Sequence, residues 1–182
     1  MSAKRMNGLH LHKSGFFFAA VLLMLSITPL SVQSERDTSR DKYRNPYSTL
    51  EFFGLNPEMD VLEISPGGGW YTEVLAPYLK GTLFAAHFNP DGDRAYYKRS
   101  RDNYVKRIES DPKLFKNVSI AIFDADQNIL TVDNDSVDAV LTFRNVHSWL
   151  RSNSESNAFA LFFKALKPVS YTHLRAHETS RY

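Results

Sequence analysis

The residues best equipped for chemistry fall in four short polar groups, each closing an apolar run of the chain. The first is in "VLEISPGGGWYTEVLAP", where Glu63 is followed by Gly67, Gly68 and Gly69. Glycine lets a ligand come into contact with the main chain, and a helix opening just after it offers unpaired N–H groups. Two ligand classes use such a loop: dinucleotides, whose pyrophosphate rests on the helix N-terminus, and nucleosides without phosphate. The dinucleotide pattern G-x-G-x-x-G counted from Gly67 needs a sixth-position glycine, and Thr72 stands there. Glu63 beside the loop would repel pyrophosphate and suit a ligand with an amino or sulfonium charge. The charge logic favours a cationic nucleoside.

The other groups are His87, Asn89 and Asp91; Asp124 and Asp126; and Arg144, Asn145 and His147. What places them is the pattern of runs before them. "MDVLEIS", "GTLFAAHF", "NVSIAIF" and "VDAVLTF" have strand length and are nearly all apolar. "WYTEVLAPYL" and "RAYYKRSRDNYVKRIES" between them have helical spacing, and "DADQNILTVDNDS" is looser. Strand and helix in alternation imply a parallel sheet with crossover helices, and apolar strands imply cover on both faces. The expected class is α/β, a Rossmann-like doubly wound parallel sheet. In that architecture ligands bind beyond the carboxyl ends of the strands, where all four polar groups are expected to gather.

A chain of 182 residues, 43% hydrophobic and 23% charged, suits one domain. The formal charge of +2 comes without a basic stripe, so nucleic acid is not an expected partner. The absence of cysteine excludes disulfides, thiolate zinc sites and a cysteine nucleophile, and no metal is implied. Lys4, Arg5 and Lys13 precede the apolar run Phe16 to Leu30, which ends in small residues. That is the layout of a secretory signal peptide over residues 1–34, with a periplasmic or secreted product and no stable membrane span once it is removed. An uncleaved membrane anchor is its rival. Residues 35–45 read as a linker, and "PYSTLEFFGLNP" as a short amphipathic helix opening a domain over 46–168.

"EISPGGGWYTEVLAPYL" resembles the first loop of class I S-adenosylmethionine-dependent methyltransferases, in particular a bacterial group of exported members, and the likeness runs from about Pro46 to Pro168. It implies S-adenosylmethionine as cofactor, with Glu63, Gly67, Gly68 and Gly69 holding its methionine and ribose portions. Ser65 stands where many members have the first glycine. His87, followed by Asn89, stands where the family has its ribose-binding acid, and Asp124 or Asp126 takes the adenine-amino position. "LTFRNVHSWL" takes the catalytic face: His147 as base, its ordinary pKa being near neutral, with Asn145 or Arg144 positioning an unknown, small-molecule methyl acceptor. A non-catalytic nucleoside-binding module and an NAD-dependent oxidoreductase are the alternatives. "VSYTHLRAHETSRY", residues 169–182, shows no strand pattern and resembles translated adapter read-through. On that reading the sheet is truncated after its fourth strand.

Overall fold

A computed structural model describes residues 36–168; the expected signal peptide and the odd tail lie outside the described residues. The chain runs α1 (Asp41–Arg44), α2 (Pro46–Phe52), β1 (Val61–Ile64), α3 (Thr72–Tyr78), β2 (Leu83–His87), α4 (Ala95–Glu109), β3 (Val118–Asp124), β4 (Ile129–Leu130), β5 (Ala139–Thr142), α5 (Val146–Ser152) and α6 (Glu155–Ala165). The four expected strands and their crossovers are all present. The sheet order is β4-β3-β2-β1-β5, with β3, β2, β1 and β5 mutually parallel. From β1 the chain builds outward through β2 and β3, then returns to the other side of β1 with β5. Strand order therefore reverses at the β1–β5 pair, where a doubly wound sheet opens its ligand crevice.

Side-chain alternation divides the core in two. Leu62, Ile64, Ala86, Phe123 and Val140 meet Trp149, Leu161 and Phe162 of α5 and α6. Val61, Leu83, Ala85 and Leu141 meet Leu50, Val74, Leu75, Tyr104 and Ile108 of α2, α3 and α4. β1, β2 and β5 are thus covered on both faces, which is why their residues are apolar without a period of two, while β3 alternates in burial with Ser119 exposed.

Two elements differ from the sequence reading. The loose segment after β3 forms a hairpin, β4 pairing antiparallel with β3 through Phe123↔Leu130 and Asp124↔Ile129. Asn128 supplies the left-handed residue of its turn, at φ 56°, a conformation asparagine tolerates better than most residues. Thr131 completes the hairpin, its hydroxyl accepting from the Ile122 N–H at 2.8 Å. The expected linker also carries structure: α1 lies within it, and Arg36 is paired through both guanidinium nitrogens with the Asp41 carboxylate. Beyond α6, Leu166 forms a parallel bridge with Val137 ahead of β5. Lys167 there bonds Asp138 at 2.9 Å and Asp60 at 3.2 Å, tying the amino ends of β1 and β5 together far from the crevice.

Candidate functional site

The glycine loop leaves β1 through Ser65, whose φ of 51° puts a non-glycine residue in left-handed backbone. Serine here adopts the conformation that the expected glycine would have adopted freely, at a cost of about 1–2 kcal/mol. Gly67 and Gly69 also have positive φ, 61° and 84°. A Cβ on Gly69 would stand 3.1 Å from the Tyr104 ring, whereas one on Gly68 would meet nothing within 4 Å. The loop's inner side is packed and its tip is open.

Behind it lies a buried polar group. The Thr72 hydroxyl donates to Glu63 Oε2 at 2.7 Å and is 3.1 Å from Tyr104 Oη. Thr72 has one hydroxyl proton, so the Tyr104 hydroxyl donates to Thr72 in turn. Glu63 is only 1% exposed, and burial pushes its pKa up to about 7, the Thr72 bond opposing. Burial also raises the pKa of Tyr104, with the nearby Glu63 adding to it. The sequence reading set Glu63 against the ligand; the fold places it under the loop, toward α3 and α4, because β1 residues 61 and 63 share that face.

His87 is likewise redirected. It is fully buried at the end of β2. Its Nδ1 accepts from the Phe88 N–H at 2.8 Å, so the proton sits on Nε2, which donates to the Gly67 carbonyl at 3.1 Å. Burial holds its pKa down at about 4. Both ring nitrogens are spent on backbone, so His87 braces the glycine loop and has no valence left for ribose.

The cavity beside this loop has a volume of about 770 Å³ and lies across the carboxyl ends of the sheet. Ser65 lines it after β1, Phe88 and Asn89 after β2, Asp124, Asp126 and Gln127 after β3, and Asn145 after β5. Of the expected residues, Asn89, Asp124, Asp126 and Asn145 are brought together. Asn89 Nδ2 donates to Gln127 Oε1 at 3.3 Å, joining the β2 and β3 loops. Asp124 Oδ1 accepts the Gln127 N–H at 3.1 Å, leaving its other oxygen available. Asn145 Nδ2 donates to the Ile64 carbonyl at 3.1 Å and to Thr142 Oγ1 at 3.0 Å, locking the loop after β5 onto the end of β1.

None of the three glycines lines the cavity, nor do Arg144 and His147. Asn145, Ser148, Trp149 and Ser152 line the cavity at the spacing i, i+3, i+4, i+7, the signature of one helix face, and Arg151 lines it too; His147, one turn before Arg151, is exposed and does not line it. Ser148 and Ser152 were missed by sequence reasoning although the same spacing, applied through "NVHSWLRS", would have found them.

Among solved structures, a SAM-dependent methyltransferase from Aquifex aeolicus superposes with a TM-score of 0.61 at 20% identity over 75% of this chain and 66% of its own. The fold is that of the S-adenosylmethionine-dependent methyltransferases. A Haemonchus contortus phosphoethanolamine N-methyltransferase, in complex with phosphomonomethylethanolamine and S-adenosylhomocysteine, gives 0.55 at 16% identity, over 71% of this chain and 27% of its own. A 4+2 cyclase gives 0.53 at 15% identity, over 69% and 41%. At this distance the likeness is one of fold, and the cyclase shows the same framework with a different chemistry in its name. The chain spans two thirds or less of the length of these structures. No protein-family model and no curated protein matches the sequence. Among the described residues no group of three or more His, Asp or Glu side chains could hold a metal ion, and no helix is long and apolar enough to cross a membrane.

Proposed function

We propose that this chain binds S-adenosylmethionine and transfers its methyl group to a small-molecule acceptor. The observation that carries the reading is the cavity of about 770 Å³ that joins the carboxyl ends of β1, β2, β3 and β5, within the size range of cofactor sites. Its donor set fits a phosphate-free nucleoside. Asp124 and Asp126 are acceptors for an exocyclic amino group, Asn89 offers its amide to ribose hydroxyls in place of the displaced His87, and Phe88 gives an aromatic edge. Asp93, absent from the sequence expectation, also lines the cavity and is a second acceptor on the ribose side. Arg94 and Arg151 line the cavity as well, so its charge is mixed, and what speaks against a dinucleotide is Thr72 at the sixth position of the glycine pattern.

Bound there, the cofactor would supply an electrophilic methyl group on a sulfonium. The protein's part is alignment, which accounts for much of the acceleration of such displacements. Asn145 holds the β5 loop against Ile64 at the reversal of strand order, so the wall between donor and acceptor is fixed by two hydrogen bonds. Glu63, Thr72, Tyr104 and His87 hold the glycine loop from beneath. His147 has no part in this arrangement, and alignment requires no base.

We further propose that the chain is exported, from the charged head and apolar run of residues 1–34; N-terminal sequencing of protein from the periplasm or medium should begin near Glu35. The cofactor reading is tested by isothermal titration of the folded chain with S-adenosylmethionine, S-adenosylhomocysteine and NAD. Saturable binding of the first two with none of the third is expected. Binding of NAD alone would replace the reading with an oxidoreductase, and tight nucleoside binding without turnover of any acceptor would leave a binding module.

A further inference from the structure

A cationic cluster stands next to the glycine loop, outside the cavity lining. Trp70 follows Gly69 directly, and its ring is covered by two guanidinium groups: Arg44 Cζ lies 4.5 Å from the ring centroid and Arg36 Cζ 5.5 Å. Arg36 is neutralised by Asp41. Arg44 is not, and it is joined by Arg40, one helical turn earlier, and by Arg144. Burial lowers the Arg44 pKa first, and the charges of Arg40 and Arg144 lower it further. Among the described residues no carboxylate lies within ion-pair distance of Arg40, Arg44 or Arg144.

Their convergence is structural. Tyr71 stacks on Phe143 with centroids 3.6 Å apart and planes 3° from parallel. That stack brings together the segments that carry Trp70 and Arg144, and the Arg144 charge acts on Arg44. Arg144 is further constrained by a φ of 65°, an uncommon conformation for a large side chain. Trp70 Nε1 is buried there without a hydrogen-bond partner. Three uncompensated guanidinium groups and an unused indole donor thus gather at the β1–β5 reversal. None of these residues lines the nucleoside cavity.

We propose that Arg40, Arg44 and Arg144 bind an anionic group, a carboxylate or phosphate, of the methyl acceptor, making this an enzyme for acidic small molecules. The proposal rests on the methyltransfer reading for the role of the bound molecule, while the anion site itself does not. Guanidinium is suited to either oxyanion through paired N–H donors. Trp70 and Arg144 lie on the loops after β1 and β5, which Asn145 ties together at the cavity wall, while Arg44 comes from α1 and Arg40 from its N-cap; this sets the acceptor next to the donor.

The test is titration of the full chain with inorganic phosphate and, separately, succinate at low ionic strength, first without and then with saturating S-adenosylhomocysteine, read by calorimetry and by tryptophan fluorescence. Saturable binding is expected, weakened tenfold or more in the double variant Arg40→Gln/Arg144→Gln, whose S-adenosylhomocysteine affinity stays within twofold. Both positions are exposed, so this variant keeps the fold that Arg44→Gln, by uncovering Trp70, could disturb. Tighter phosphate assigns a phosphate-bearing acceptor, and tighter succinate a carboxylic one. Equal probe binding by the double variant overturns the proposal, as does failure of both probes to saturate. Displacement of the probes by S-adenosylhomocysteine also overturns it, by assigning the cluster to the cofactor's own carboxylate. If probes bind through the arginines while S-adenosylhomocysteine does not bind at all, the anion site stands and the methyltransfer reading falls.

Discussion

His87 Nε2 lies 3.1 Å from the carbonyl oxygen of Gly67, so the end of β2 holds the loop that leaves β1 through a histidine that is neutral at every physiological pH. Its neighbour under the loop, Glu63, titrates in the opposite sense. The His87 pKa is about 4 against an ordinary 6.5, so the unfolded chain binds the extra proton between these values and stability rises with pH across that window. The Glu63 pKa is about 7 against an ordinary 4.5. The native state binds the extra proton there, and stability falls as pH rises from 4.5 to 7. Each effect amounts to about 3 kcal/mol, and the windows overlap, so the two largely cancel between pH 4.5 and 6.5.

Single variants should uncover them. In Glu63→Gln, which keeps the Thr72 bond, the urea midpoint should climb from pH 4.5 to 6.5 and hold above that. In His87→Gln it should fall from pH 4.5 to 7. Wild-type chain should vary less than either over the shared window. Parallel profiles for all three would mean that neither group is as buried as the fold places it.

The glycine loop separates a folding role from a binding role. Gly69→Ala puts a methyl 3.1 Å from the Tyr104 ring in backbone at φ 84°, and should cost about 1–3 kcal/mol of stability. Gly68→Val has open space around it. It should unfold at nearly the wild-type temperature while losing affinity for S-adenosylhomocysteine, the ligand reaching beyond the cavity, which Gly68 does not line, onto the open tip of the loop. Retained affinity in folded Gly68→Val would remove the loop tip from the site.

Asp124 serves two partners, and two substitutions tell them apart. Asp124→Ala loses both the Gln127 N–H acceptor and the free oxygen, whereas Asp124→Asn keeps the first and turns the second into a donor. Both should weaken S-adenosylmethionine and S-adenosylhomocysteine alike, by roughly 1–3 kcal/mol for a charged hydrogen bond, since adenine is common to both. Calorimetry decides it. A loss confined to Asp124→Ala would reduce the residue to a turn cap.

What could be read in advance follows from range of interaction. The parallel strands and the crossover helices were legible because nearly continuous apolar runs and helical periods are local properties, and the strand ends carried Asn89, Asp124, Asp126 and Asn145 to one place. The direction of a side chain at a strand end was not legible. Glu63 and His87 sit at the right height in the sheet yet face Tyr104, since which face a strand residue takes depends on the register of the whole sheet. The β3–β4 hairpin hid behind polar residues, its two-residue strand being too short to show a period. The order within residues 36–45 comes from Arg36 and Arg44 meeting Trp70, a contact between segments that no local pattern encodes.

The helix after β5 offers the sharpest discrimination between what the sequence suggests and what the fold presents. A histidine in "RNVHSWL" invites a catalytic role, but the residues here that line the cavity are Asn145, Ser148, Trp149, Arg151 and Ser152. His147 does not line the cavity, and it is Arg151, one turn later on its stripe, that does. His147→Ala should therefore leave both S-adenosylhomocysteine affinity and any methyl transfer within about twofold of wild type, and should not shift the pH profile. Ser148→Leu should keep the fold, because position 148 is exposed, yet fill the cavity wall and weaken the nucleoside tenfold or more. Asn145→Ala should lower turnover more than affinity, since it frees the β5 loop from β1 without removing the ribose or adenine partners. Loss of activity in His147→Ala with Ser148→Leu unaffected would mean that α5 turns its other face to the substrate, and the cavity described here would not be the site of reaction.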